Sequence, residues 1–233
     1  MGKDCKPPED IDGMPKEVED VMGDVIDSVA EKKIFEHYCR SESFNQFTSV
    51  FPLRNFDGTQ IFEDIRGLNT QLMIAFLGAN NPNVNVRSLA TQATMAKAGL
   101  KNPDFWTHSP ARPPFEFYEI KPNSNASRPK GLEKVMKLQI MCLDNKLPYL
   151  AGVNYSPNTE DVLWVENKGI IQTTVSLHWF RLAPGLIVYE ICRESKSRVR
   201  VPDRVIKAVE DAAMLALMLA LIAAAAIGDL VFG

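Results

Sequence analysis

From Pro103 onward the chain is a series of short aromatic and β-branched runs, and no other feature limits the fold so strongly. "PDFWTHS", "FEFYEIKP", "LPYLAGVNYS", "DVLWVEN", "IIQTTVSLHWFRL" and "LIVYEICR" are separated by Pro, Gly and Asn. Runs of this length and composition read as strands, and the residues between them as turns. A helical stretch interrupts them from about Pro129 to Asn145. Trp106, Phe115, Phe117 and Tyr118 read as core side chains, with base stacking as the alternative use.

Upstream the periodicity is helical. Val18, Met22, Val25, Ile26, Val29, Ile34 and Phe35 make residues 15–38 an amphipathic helix or two short ones. "NFDGTQ" is a turn, "IFEDIRGLNTQLMIAFLG" a second helix interrupted near Gly67, and "VRSLATQATMAKAGL" a third. The order of helices, hairpin, helix, strands and final helix predicts an α/β (α+β) domain with a mixed central sheet flanked by helices. The expected divisions are an acidic leader and helical region (1–84), an α/β core (85–204) and an apolar C-terminal helix (205–233).

A chain of 233 residues can bury a sizeable core. Its formal charge of −3 excludes a general polycation, but the charge is uneven. Residues 1–36 hold 11 acids and 5 bases, a net −6 that leaves +3 on the rest. The leader, whose first dozen residues read as loose, is either a solubilising arm or a cover for a basic groove. Cys5, Cys39, Cys142 and Cys192 have no paired spacing, so neither a zinc site nor a disulfide framework is expected, and a reducing compartment fits. No N-terminal apolar segment marks a signal peptide, and Lys6 stands where a myristoylation signal needs Ser or Thr.

"AAMLALMLALIAAAAI", Ala212 to Ile227, has no polar residue. As a helix it reaches roughly 24 Å, short of the ~30 Å hydrocarbon core of a bilayer. Burial in a core or oligomer interface and membrane insertion are the competing uses.

The chemistry-bearing stretch is "NPDFWTHSPARPPFEFYEIK". Glu119 and Lys121 are two apart on a strand, so they share a face, with Ile120 on the other. If the two strands pair antiparallel across "SPARPP", Asp104 comes within reach of Glu119. Two converging carboxylates form a hard-oxygen site suited to Mg²⁺ or Mn²⁺, and a neighbouring lysine can orient a water for attack on a phosphodiester.

Pro103-Asp104 followed by Glu119-x-Lys121 resembles the signature of the PD-(D/E)XK nuclease superfamily, which has the restriction-endonuclease-like fold. The resemblance implies that Asp104, Glu119 and the Ile120 carbonyl hold the metal and that Lys121 assists the attacking water. It also implies a following helix that lines the nucleic-acid groove. Here that helix offers Arg128, Lys130, Lys134 and Lys137 for phosphates and Gln139 as an accessory residue near the metal. Leu143 stands where some branches have a tyrosine. Many members add an acid from an earlier helix, for which Glu63 or Asp64 are the candidates.

The expected function is therefore Mg²⁺-dependent hydrolysis of nucleic acid, DNA ahead of RNA. "EIKP", a polar loop and a basic helix are also similar to nuclease domains of bacterial polymorphic toxins. That likeness implies an antibacterial effector, cytoplasmic in the producing cell, exported without a classical signal peptide and served by an immunity protein or secretion chaperone. The rivals are a non-enzymatic assembly or membrane-interaction protein acting through Ala212–Ile227, and an inactive nuclease-fold binding module. His178, Arg193, Lys196, Arg198 and Arg200 are assigned no site, and Glu160, Asp161 and Glu166 no obvious partner.

Overall fold

The computed structural model describes residues 3–8, 16–41, 53–54, 60–63, 70–85, 102–108, 115–197 and 203–231. Nine strands form a mixed sheet: β1 (Asp4–Lys6), β2 (Leu53–Arg54), β3 (Gln60–Glu63), β4 (Phe105–His108), β5 (Phe115–Pro122), β6 (Tyr149–Ala151), β7 (Asn158–Lys168), β8 (Ile171–Ala183) and β9 (Leu186–Ser197). Among the described residues four helices accompany them: α1 (Lys16–Ser41), α2 (Thr70–Asn80), α3 (Ser127–Asp144) and α4 (Asp203–Val231). The expected mixed α+β architecture is therefore what the chain adopts.

The sheet runs β2-β3-β4-β5-β9-β8-β7, with β1 added to β9 and β6 to β5. Its two parallel pairings both involve β5. The start of that strand pairs with β6, and its end, Glu119 to Pro122, pairs with β9 from Leu186 to Tyr189. Both lie on one edge of β5 and β4 covers the other, which explains a strand buried almost throughout.

Alternation along the strands builds two cores. On one face Phe105, Tyr118, Ile120, Trp179, Tyr189 and Ile191 pack with Ile34 and Phe35 of α1 and Met214 and Leu217 of α4. On the other Trp106, Phe117 and Val188 pack with Met73 and Leu77 of α2 and Val135 and Leu138 of α3. Trp106, Phe117 and Tyr118 are fully buried, so they are core rather than a stacking platform. Gly152 is required for clearance, because a Cβ there would stand 2.1 Å from Cζ of Tyr118.

Several expectations need correction. "IFE" is strand β3, not the start of a helix, because Gln60 to Glu63 pair antiparallel with His108 to Phe105. Tertiary pairing along β4 outweighs the helical period, and α2 begins only at Thr70. The leader is not wholly loose: Asp4, Cys5 and Lys6 pair with Arg193, Cys192 and Ile191. That register brings two cysteines separated by 187 positions into a disulfide, which no spacing in the sequence announces. β3 and α1, upstream of residue 84, pair with or pack on strands downstream of it. The expected third helix, "VRSLATQATMAKAGL", lies outside the described residues.

One face of the C-terminal helix enters the core through Ala213, Met214 and Leu217, while Leu215 and Leu219 are exposed. Among the described residues no helix is long and apolar enough to cross a membrane.

Candidate active site

The site forms where β4 begins and β5 approaches its end. Phe105 pairs with Tyr118, so the next rung places Asp104 beside Glu119. β4 does not extend far enough to accept the Ile120 N–H, and the Asp104 carboxylate accepts it instead through Oδ2. The hairpin expected from "SPARPP" thus brings Asp104 to the Glu-x-Lys pair.

Glu119 faces α3 and is fully buried. Its Oε1 lies 2.7 Å from Lys121 Nζ and its Oε2 lies 2.6 Å from Lys134 Nζ. Lys121 Nζ also donates to the Ile120 carbonyl at 2.8 Å. α3 comes this close because Gly131 has no side chain; a Cβ there would stand 2.7 Å from Leu186 Cδ1 and 3.1 Å from Lys121 Cγ.

Burial pushes the Glu119 carboxyl up to about 7, with the Asp104 charge acting in the same direction and Lys121 and Lys134 opposing it. Burial works against the Lys121 ammonium, but Asp104 and Glu119 more than offset it, holding that group above the usual lysine range.

A further acid belongs to this neighbourhood. Glu31 of α1 is half-buried, and its carboxyl is pushed up to about 8. Burial is the main cause, followed by the Asp104 charge; Asp27 and Glu119 add to the rise and Lys121 resists it. Glu31, with Asp27 one turn before it, is thus an acid of an earlier helix that feels the charges of Asp104, Glu119 and Lys121. Their four-residue spacing beside the buried Ala30 and Ile34 is a sequence signal that a search of nearer helices passes over.

The other expected accessory residues are Glu63, Asp64 and Gln139. Glu63 lies on β3, paired with Phe105, and Asp64 lies outside the described residues. Gln139 braces β6: its Nε2 donates to the Tyr149 carbonyl at 3.3 Å and its Oε1 accepts from the Ala151 N–H at 2.8 Å. Both ends of that amide are committed to the backbone, so it is not directed at the carboxylates.

α3 presents no continuous basic face. Lys134 turns inward to Glu119, Lys137 pairs with Glu133 at 2.7 Å, and Arg128 binds the Ser124 carbonyl and Asn125 Oδ1. Lys130 is exposed. The outer side of the helix instead shows Leu132, Met136, Ile140 and Leu143, with Met136 64% and Leu143 65% exposed.

Elsewhere, Glu160 accepts from Ser176 and pairs with Lys3, Asp161 pairs with Lys33 at 2.6 Å, and Glu166 with Lys168 at 3.4 Å, so all three acids have partners. Arg193 sits on β9 between Asp4 and Asp211. His178 is satisfied locally by Glu190 and Asn158.

Asp104, Glu119 and the Ile120 carbonyl are hard oxygen donors that fit a magnesium-class ion. Both Glu119 oxygens are buried against ammonium groups, Oε1 against Lys121 and Oε2 against Lys134. The two lysines supply the positive charge that a divalent cation would bring. The chain matches no protein-family model, no curated protein and no solved structure.

Proposed function

We propose that the chain is a metal-dependent nuclease of the restriction-endonuclease-like class, acting on nucleic acid, with DNA ahead of RNA. The observation that carries this reading is the meeting of Asp104, Glu119 and Lys121 at the paired ends of β4 and β5. A succession of three antiparallel strands, a helix and a strand parallel to the third (β3, β4, β5, α3, β6) supports the same class.

Asp104, Glu119 and the Ile120 carbonyl would hold the ion, which supplies Lewis-acid charge for the phosphate and for a bound water. Lys121 has three N–H donors, of which one reaches Ile120 and one Glu119. The third is suited to orient a water or a phosphate oxygen. Lys134 balances the buried Glu119 charge from the opposite side, and Glu31 provides a carboxyl that exchanges its proton near neutral pH. Arg128 and Lys130, at the start of α3, are the groups best placed for flanking phosphates.

The test is cleavage of supercoiled plasmid and of structured RNA with Mg²⁺ or Mn²⁺, by the wild type and by the Asp104→Asn and Lys121→Met variants. Metal-dependent cutting lost in both variants supports the reading. Intact substrates under every metal, or cutting unchanged in the variants, defeats it.

A second reading is favoured by two observations: Glu119 is already neutralised by two lysines, and the outer face of α3 is apolar rather than basic. Under it the domain binds nucleic acid or assembles with protein without hydrolysis, through α3 or the C-terminal helix. Antibacterial effector activity, export without a signal peptide, and immunity or chaperone partners remain proposals supported by the toxin resemblance alone.

A further inference from the structure

Outside the carboxylate–lysine cluster, one other set of metal-ligating side chains gathers among the described residues. One ligand atom from each of Cys5, Glu190 and Cys192 lies within 4.8 Å of the other two. The topology explains the grouping. Cys5 pairs with Cys192 across β1 and β9, and Glu190, two residues before Cys192, projects from the same side of β9. Glu190 is held from two directions, by His178 Nδ1 at 3.0 Å on Oε1 and by Asn123 Nδ2 at 3.0 Å on Oε2. Cys5 and Glu190 are half-buried, so solvent reaches the group, whereas Cys192 is buried behind them.

We propose that this group is a redox-gated site for a zinc-class cation. In the oxidised chain the two sulfurs are bonded to each other and cannot both act as ligands. A dithiol reductant opens the bond by delivering two electrons and two protons; the chain then holds two thiols and the reductant becomes a disulfide. Zn²⁺ binding displaces the two thiol protons and leaves two thiolates and the Glu190 carboxylate as ligands, with water in the fourth position. His178 and Asn123 are positioning residues that fix the carboxylate.

The donor set separates this site from the one at Asp104. Thiolates select zinc-class ions, whereas an all-oxygen site suits Mg²⁺ and Mn²⁺. The structural consequence falls on β1, which is three residues long and, among the described residues, pairs with β9 alone. A disulfide fastens it under oxidising conditions and an ion under reducing ones, so the N-terminal strand stays on the sheet in both.

The full chain is reduced with a dithiol, desalted without air and titrated with Co²⁺. The expected result is one equivalent bound with a thiolate-to-cobalt charge-transfer absorption that Zn²⁺ abolishes by displacement. Oxidised protein and Cys5→Ser show no such band, Cys142→Ser is unchanged, and Glu190→Gln binds at least about 10-fold more weakly. Absence of the band from reduced wild type, or its persistence in Cys5→Ser, overturns the proposal. Should Cys192→Ser at its buried position fail to fold, Cys5→Ser on the edge strand still decides, with circular dichroism confirming its fold.

Discussion

Lys134 of α3 and Glu119 of β5 form an ion pair at 2.6 Å, joining the helix expected to touch phosphates to the carboxylate expected to hold a metal. The contact makes the electrostatics of the site a property of two elements rather than of the Glu-x-Lys motif alone.

Breaking that pair leaves a fully buried carboxylate with one counter-charge instead of two. Lys134→Met is expected to cost about 3 kcal/mol of stability at pH 8, since removing one member of a buried pair strands the other. The loss shrinks toward pH 5, where Glu119 takes up a proton. Urea unfolding at the two pH values checks both statements.

Glu31 and Glu119 have folded-state values raised to about 8 and about 7 from an ordinary 4.5. Between those limits the folded chain binds more protons than the unfolded one, so their contribution to stability is complete below pH 4.5 and declines as pH rises through 7 and 8. Glu31→Gln should flatten this decline, gaining about 2 kcal/mol relative to wild type at pH 8 after solvent screening. His37 and His108 act with the opposite sign: burial lowers both, so their contribution is lost as pH falls below 6.5. Unfolding midpoints measured from pH 4.5 to 8.5 resolve the two effects.

Gly131→Ala tests the approach of α3 to β5. At an open helical position the change would gain about 1 kcal/mol from propensity. Here overlap with Leu186 Cδ1 at 2.7 Å reverses the sign, and a net loss of about 1–3 kcal/mol is expected. Because Lys121 Cγ is the next atom met, at 3.1 Å, cleavage should fall more than the loss of folded protein explains. Thermal melts and initial rates separate the two.

Glu116 supplies a control carboxylate on the same strand. It is buried, and its oxygens accept from Tyr118 Oη and from the N–H groups of Val153 and Asn154. Glu116→Ala should destabilise by about 3 kcal/mol by leaving those donors unmatched. Cleavage per folded molecule should remain, as read by activity normalised to the native circular-dichroism signal.

The strands from β4 to β9 and the helix between them were legible because each run is bounded by Pro, Gly or Asn and carries the residues that a doubly flanked strand buries. Asp104, Glu119 and Lys121 were legible because strand periodicity and one turn determine their faces. Glu31 was not: it lies far upstream on α1, and only tertiary packing sets its surroundings. The inward turn of Lys134 was equally hidden, since helical spacing groups it with Lys130 and Lys137 and says nothing about which side of α3 meets the sheet. β3 escaped because four residues seldom distinguish strand from helix until a partner strand is known. The Cys5–Cys192 bond depends on a register between opposite ends of the chain.

The most direct measurement is Mn²⁺ binding by isothermal titration and electron paramagnetic resonance, comparing wild type with Asp104→Asn and Glu119→Gln in the oxidised chain. One ion bound by wild type, lost or weakened at least about 10-fold in both variants and tighter at pH 8 than at pH 6, is the predicted result. Equal binding by all three proteins, or none by wild type at either pH, would contradict a metal held between these two carboxylates.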